Sequence, residues 1–209
     1  TEININSTIP VGRGLGSSAA LSIAIARAKK LTNIREIADK CEKFIHGNPS
    51  GIDVNQVLSD TPLLFSKKDG AIPLDFNLDS YLLIIDTGVI GITKETLKHI
   101  KQNFENYKSY IDELGEITEK VIEPLKKKAI EIVGAYMYKA HDLLQKLGVS
   151  HESNDDVVNI CKNNGALGAK LTGGGAGGCC IALSKTKENA EKIQNELAKK
   201  GYKSWIVTV

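Results

Sequence analysis

Pro10-Val11-Gly12-Arg13-Gly14-Leu15-Gly16-Ser17-Ser18-Ala19-Ala20 sets three glycines and two hydroxyls between an apparent strand and an apparent helix. Glycines let the backbone turn sharply and bring several N–H groups against an anion. A helix opening near Ser18 points its positive dipole end at the same place. The stretch reads as a phosphate cradle whose hydroxyls can also reach a metal ion. No Gly-Lys-Ser/Thr follows it, so it is not a Walker A loop. It also lacks the third glycine spacing and the downstream acid of a dinucleotide-binding fingerprint. For a bare Gly-x-Gly a tight strand-to-helix connection is the bland reading; the order Gly-Leu-Gly-Ser-Ser-Ala-Ala is more specific.

Two further segments carry the same chemistry. One is Glu42-Lys43-Phe44-Ile45-His46-Gly47-Asn48-Pro49-Ser50-Gly51-Ile52-Asp53; the other is the glycine tract Lys170-Leu171-Thr172-Gly173-Gly174-Gly175-Ala176-Gly177-Gly178-Cys179. Together with the first stretch they resemble the GHMP kinases, whose phosphate loop reads P-x-x-x-G-L-G-S-S-A. Within that superfamily the string H-G-N-P-S-G-x-D, with Asp86-Thr87-Gly88 and Thr93-Lys94, is similar to the mevalonate kinases. The resemblance runs from the first residues to the last strand. It implies an α+β GHMP kinase fold, with a partial ribosomal-S5-domain-2-like N-terminal domain over residues 1–80 and a ferredoxin-like C-terminal domain over 81–209. Full-length members begin with a Pro-Gly-Lys segment that supplies an active-site lysine. This chain starts at Thr1, inside an expected strand, and its one methionine is Met137. It therefore reads as the larger, C-terminal part of a longer kinase, with the missing N-terminal segment of the same enzyme as a natural partner.

Periodicity gives the elements between the motifs. Glu2 to Ser7 alternates as a strand through Ile3 and Ile5, and Ser18 to Leu31 reads as a helix buried around Leu21, Ile25 and Ala28. Ile34 to Ile45 reads as a second helix with Ile37, Cys41 and Phe44 or Ile45 on one side. Pro49-Ser50-Gly51 breaks it and turns into a helix near Asp53. Leu63–Phe65 and Ala71–Leu74 make a hairpin across Lys67-Lys68-Asp69-Gly70. The second domain opens near Tyr81 with the apolar strand Tyr81 to Ile85. Thr93 to Leu147 is mostly helical, with a core stripe at Leu97, Ile100, Phe104, Ile111, Leu114, Val121, Leu125, Ile132, Tyr136 and Leu143, and with Pro124 in a first turn or at a kink. Gly148 ends the last of these helices, and Asn154 caps the next, which runs through Cys161. Lys170 to Leu183 returns as paired strands. A helix from Glu188 to Lys199 and a strand from Ser204 to Val209 close a two-layer α+β sandwich.

Composition excludes several classes. A formal net charge of +2, from 27 basic and 25 acidic residues, offers no global field to recruit nucleic acid or an anionic membrane. Lys126-Lys127-Lys128 and Lys199-Lys200 follow helical apolar patterns and read as solvated faces. No apolar run approaches the ~20 residues that span a bilayer, and no signal peptide is visible. Cys41, Cys161, Cys179 and Cys180 show no C-x-x-C spacing. They read as reduced thiols of a cytoplasmic protein.

Phosphoryl transfer asks a protein to hold triphosphate and magnesium and to place the acceptor hydroxyl in line. By the resemblance, Gly12, Arg13, Gly14, Leu15, Gly16, Ser17, Ser18 and Ala19 bind the ATP phosphates. Arg13 serves at most as a local cation. Ser18 and Glu42 would ligate Mg²⁺, which accepts one carboxylate and one hydroxyl beside phosphates and water; taken alone, Glu42 is a surface helix residue. Asp53 is the candidate catalytic carboxylate, accepting the hydroxyl proton or chiefly orienting it, with a helix N-cap as its compatible bland role. Ile45, His46, Ser50, Thr172 and Gly173 would line the substrate site. His46 equally reads as a buried histidine satisfied by backbone, and Gly173–Gly178 as a flexible tract packed on the phosphate loop.

The expected reaction of the parent enzyme is transfer of the γ-phosphate of ATP to the 5-hydroxyl of mevalonate, in isoprenoid precursor synthesis; without the N-terminal lysine this piece is expected to be largely inactive. Small-molecule partners are therefore mevalonate and ATP, and the oligomeric state, a homodimer included, is not fixed. Three alternatives compete. Another GHMP small-molecule kinase, acting on phosphomevalonate or on the 3-hydroxyl of mevalonate, is one; an inactive nucleotide-binding fragment is the second. The third is an aspartic protease using Asp86-Thr87-Gly88, but no second Asp-Thr-Gly exists in the chain.

Overall fold

The computed structural model describes residues 2–91, 98 and 100–209. The readings placed on Thr93, Lys94 and Leu97 lie outside the described residues. The chain forms two compact units, Thr1–Val11 with Leu15–Asp75 and Gly12–Gly14 with Phe76–Val209.

The first unit is helical with one hairpin: α1 (Ser17–Ala28), α2 (Ile34–His46), α3 (Ile52–Leu58), β1 (Leu63–Ser66) and β2 (Gly70–Pro73). Its core is Ala19, Ile23, Ala38 and Val54, with Ile34, Val57 and Leu58 packed around them. Ala19, Ser22, Ile23 and Ala26 form the buried stripe of α1 at helical spacing. This corrects the expected face: Leu21 and Ala28 are exposed and Ile25 is only partly buried. Small alanines on α1 and α2 win the interior because they let the two helices approach closely, as a leucine there would not. On α2 the buried residues are Ala38 and Glu42, whereas Phe44 is 92% exposed. Residues 2–9 form no strand, and Ile3 and Ile5 are exposed. Alternation supplies two faces, but a strand also needs a hydrogen-bonded neighbour. The hairpin forms as expected, antiparallel with Leu64 opposite Ile72.

The second unit is built on β3 (Tyr81–Asp86), β4 (Gly168–Leu171), β5 (Cys179–Ser184) and β6 (Lys203–Thr208), in spatial order β4-β5-β3-β6 with every pair antiparallel. Its helices are α4 (Phe104–Lys120), α5 (Ile122–Lys126), α6 (Ile130–Lys146), α7 (Glu152–Asn163) and α8 (Lys187–Lys199). One strand, helices, two hairpin-joined strands, a helix and a final strand is the split βαβ order of a ferredoxin-like domain. Leu83 and Ile85 of β3 join Cys180, Ala182, Ala169 and Leu171 against Val157 and Cys161 of α7 and Ile193 and Leu197 of α8. Pro124 falls in the first turn of α5, where its missing N–H costs nothing. Phe104 and Ile132, expected in the core stripe, are exposed.

Helix α6 and strand β4 meet backbone to backbone. A β-carbon on Gly134 would stand 2.3 Å from the Leu167 carbonyl oxygen, and one on Gly168 would stand 2.2 Å from that of Gly134. His151, not Asn154, caps α7; it accepts the Ser153 N–H, and Asn154 returns the favour to the His151 N–H in a capping box. All four cysteines are free: Cys161, Cys179 and Cys180 are buried and Cys41 is partly exposed. Among the described residues no helix is long and apolar enough to cross a membrane.

Candidate active site

In the first unit the candidate residues converge at the start of α1. Gly16 stands before Ser17 and has no side chain with which to bond the first-turn amides, which leaves those N–H groups to an outside acceptor. Ala19 is fully buried, so only its backbone can serve an anion. Glu42 and His46 are one turn apart on α2 and share a face. His46 Nε2 lies 3.2 Å from Ser18 Oγ and 3.6 Å from Glu42 Oε2. The ring is half-exposed and turned to side chains, which corrects the reading of a buried histidine satisfied by backbone. Glu42 is 3% exposed, and its Oε1 has no hydrogen-bond partner. A buried carboxylate oxygen without a donor is costly and suits a cation. Ser18 and Glu42 therefore fit the chemistry of a magnesium site completed by phosphates and water. Among the described residues no group of three or more His, Cys, Asp or Glu could hold a metal by itself.

Asp53 is the second residue of α3, whose cap is Gly51 rather than Asp53. Ser50 Oγ accepts the Ile52 N–H at 3.3 Å and shapes the turn. A β-carbon on Gly16 would lie 3.5 Å from Asp53 Oδ1, so the carboxylate borders the phosphate loop. Partial desolvation pushes the Asp53 carboxyl above its ordinary range; Glu42 adds to this by like charge and His46 opposes it. Ile45 and Ser50 are exposed.

Gly12, Arg13 and Gly14 belong with the second unit, where they lie on the glycine tract. The Cys179 N–H donates to the Arg13 carbonyl at 3.1 Å, and a β-carbon on Gly14 would be 3.4 Å from Gly173 Cα. The Arg13 guanidinium pairs with Asp86, Nε to Oδ1 at 3.0 Å, and donates from Nη2 to the Gly88 carbonyl at 3.0 Å. Thr87 donates from Oγ1 to the Gly178 carbonyl at 2.6 Å. Asp86-Thr87-Gly88 thus holds the tract and a cation; it does not present a free carboxylate for proteolysis. Thr172 is partly buried, its N–H donating to the Cys179 carbonyl at 2.9 Å, and Gly173 is exposed.

The tract is shaped, where the sequence suggested flexibility. Gly175 has φ +77° and approaches the Val149 carbonyl so closely that a β-carbon would stand 2.2 Å away, and the Ala176 N–H donates to that same carbonyl at 2.8 Å. The fully buried Asn154 bonds both backbone groups of Gly177. Its role went unread because an asparagine near a helix start looks like a cap.

Comparison with known proteins gives the family. The chain matches the GHMP kinases N terminal domain over residues 1–59 and the GHMP kinases C terminal domain over residues 121–203. The chain belongs to the GHMP kinase family. Relatives it is similar to along nine-tenths of its length include the mevalonate kinases of Thermococcus sibiricus, 34% identical over 90% of this chain and 61% of that one, and of Pyrococcus furiosus, 33% identical over 90% and 60%. Among solved structures, mevalonate kinase from methicillin-resistant Staphylococcus aureus matches at 30% identity and TM-score 0.74, over 96% of this chain and 68% of that one. The L. major mevalonate kinase in complex with R-mevalonate matches at 27% identity and TM-score 0.83, over 92% and 65%. The chain spans about three fifths of the length of the curated relatives it matches.

Proposed function

We propose that this chain serves the ATP- and Mg²⁺-dependent phosphorylation of the 5-hydroxyl of mevalonate; its relatives are named mevalonate kinases, one of them seen with R-mevalonate. The observation that carries the reading is Asp53 set against Gly16 at the start of α1, in the same unit as the orphaned Glu42 carboxylate. Ser18 Oγ and Glu42 would hold Mg²⁺, which when bound neutralises charge on the phosphate oxygens. The amides of the first turn of α1 bind phosphate oxygens. Asp53, whose carboxyl partial burial raises above its ordinary value, accepts the acceptor hydroxyl's proton and orients its oxygen. Ile45, His46 and Ser50 border the acceptor's place in the first unit. Free thiols and a near-neutral charge support a cytoplasmic setting.

The test is phosphate transfer by the full chain with ATP, Mg²⁺ and mevalonate, the product's position being read by ³¹P NMR. Turnover abolished by Asp53→Asn supports the proposal. Tight MgATP binding without turnover would favour a nucleotide-binding role instead. Preference for phosphomevalonate, or product at the 3-hydroxyl, would overturn the substrate assignment.

A further inference from the structure

One imidazole nitrogen faces the Ser18 hydroxyl and the Glu42 carboxylate, the two groups assigned to the cation. His46 Nε2 stands 3.2 Å from Ser18 Oγ and 3.6 Å from Glu42 Oε2. Magnesium bonds oxygen at about 2.0–2.1 Å, so an ion shared by these two groups must come nearer to each than the ring now is. The present contacts are long and hold Glu42 weakly: its Oε1 is buried without a partner and its Oε2 sees the imidazole only at 3.6 Å. The ring is also half-exposed at a helix end. It is the last residue of α2, its side chain is 51% exposed, and it is followed by Gly47 with φ +76°.

We propose that His46 is a placeholder. Its Nε2 bonds the Ser18 hydroxyl and faces the Glu42 carboxylate, and it swings outward when a divalent cation takes those groups. The inference rests on Ser18 and Glu42 being the cation's ligands, as in the reading above. An imidazole that stayed as a third ligand would instead shift the site toward nitrogen-preferring metals such as zinc or nickel.

The experiment titrates the full chain with Mn²⁺ alone, free ion being counted by electron paramagnetic resonance, for the parent, His46→Ala, His46→Gln and Glu42→Gln. Removing a contact that must break on binding should tighten Mn²⁺ in both His46 variants by about two- to tenfold, the worth of one hydrogen bond. In parallel, the His46 ring ¹⁵N signals should move on adding Mg²⁺ to the parent and stay put in Glu42→Gln. Weaker or unchanged Mn²⁺ binding in the His46 variants, or ring signals that do not respond to Mg²⁺, would overturn the placeholder role. Parent-like Mn²⁺ affinity in Glu42→Gln would overturn it differently, by removing the cation site from Glu42 altogether. Because His46 is half-exposed at a helix end, both replacements should fold, which matching circular dichroism would verify.

Discussion

Asn154 and Gly177 exchange a reciprocal pair of hydrogen bonds, the side-chain amide donating to the Gly177 carbonyl and accepting its N–H, each at 3.0 Å. A side chain thereby does what a neighbouring strand would do for a stretch of backbone that has none. Asn154→Ala strands two buried main-chain groups. We expect a loss of about 2–4 kcal/mol in unfolding free energy by urea titration, with faster amide exchange concentrated at residues 173–178.

Gly134→Ala sets helix propensity against packing. Propensity alone predicts a gain of about 1 kcal/mol in a helix interior. The added carbon would meet the Leu167 carbonyl oxygen at 2.3 Å. Crowding of that kind costs about 1–3 kcal/mol, so the thermal midpoint should fall, and an unchanged or higher midpoint would refute the close contact.

His141 links stability to pH. It is buried on α6, Nδ1 accepting the Leu171 N–H and Nε2 lying 3.2 Å from Asp155 Oδ1. Burial pushes its pKa below the ordinary 6.5; Asp155 and Asp142 oppose the shift, and Lys170 adds to it. The unfolded chain then binds a proton more readily than the native one, so stability is full above pH 6.5 and declines as pH falls below it toward the native value. Urea midpoints at pH 7.5 and 5.5 should show this decline in the parent and a smaller one in His141→Gln.

Asp53→Asn should separate activity from stability. Any phosphate transfer is lost with the carboxylate. The native pKa is raised from 3.8, so the folded state binds the proton better and ionisation above that range works against folding. Asparagine removes this cost, and the thermal midpoint at pH 7 should be no lower than the parent's. A clear fall would show that Asp53 is held by partners other than Glu42 and His46.

The motifs with fixed chemistry were legible because their residue types are restrictive. Glycines at 12, 14 and 16, the glycine tract and the apolar run at Tyr81 forecast the loop, the returning strands and the central strand. The register from Glu42 to Asp53 brought forward a carboxylate that helix position alone would leave at the surface and that the fold buries. What failed was the choice of face. On α1 the alanines lie inside and Leu21 outside, because helix spacing says which residues share a stripe but not which stripe meets a neighbour. The strand pattern at Glu2–Ser7 carried no information about a pairing partner. The contacts of His46 and Asn154 were not legible for a related reason: both reach groups distant in sequence, Ser18 and Gly177.

The buried thiols divide the chain in a way a chemist can use. Burial pushes Cys161 and Cys179 up to about 12 and Cys180 to about 11, so at neutral pH none offers a thiolate to a reagent while its surroundings stay closed. All three belong to the second unit, whereas the partly exposed Cys41 belongs to the first. An aromatic disulfide reagent thus becomes a pair of clocks: the prompt sulfhydryl follows breathing of the helical unit, and the three late ones time the opening of the sheet.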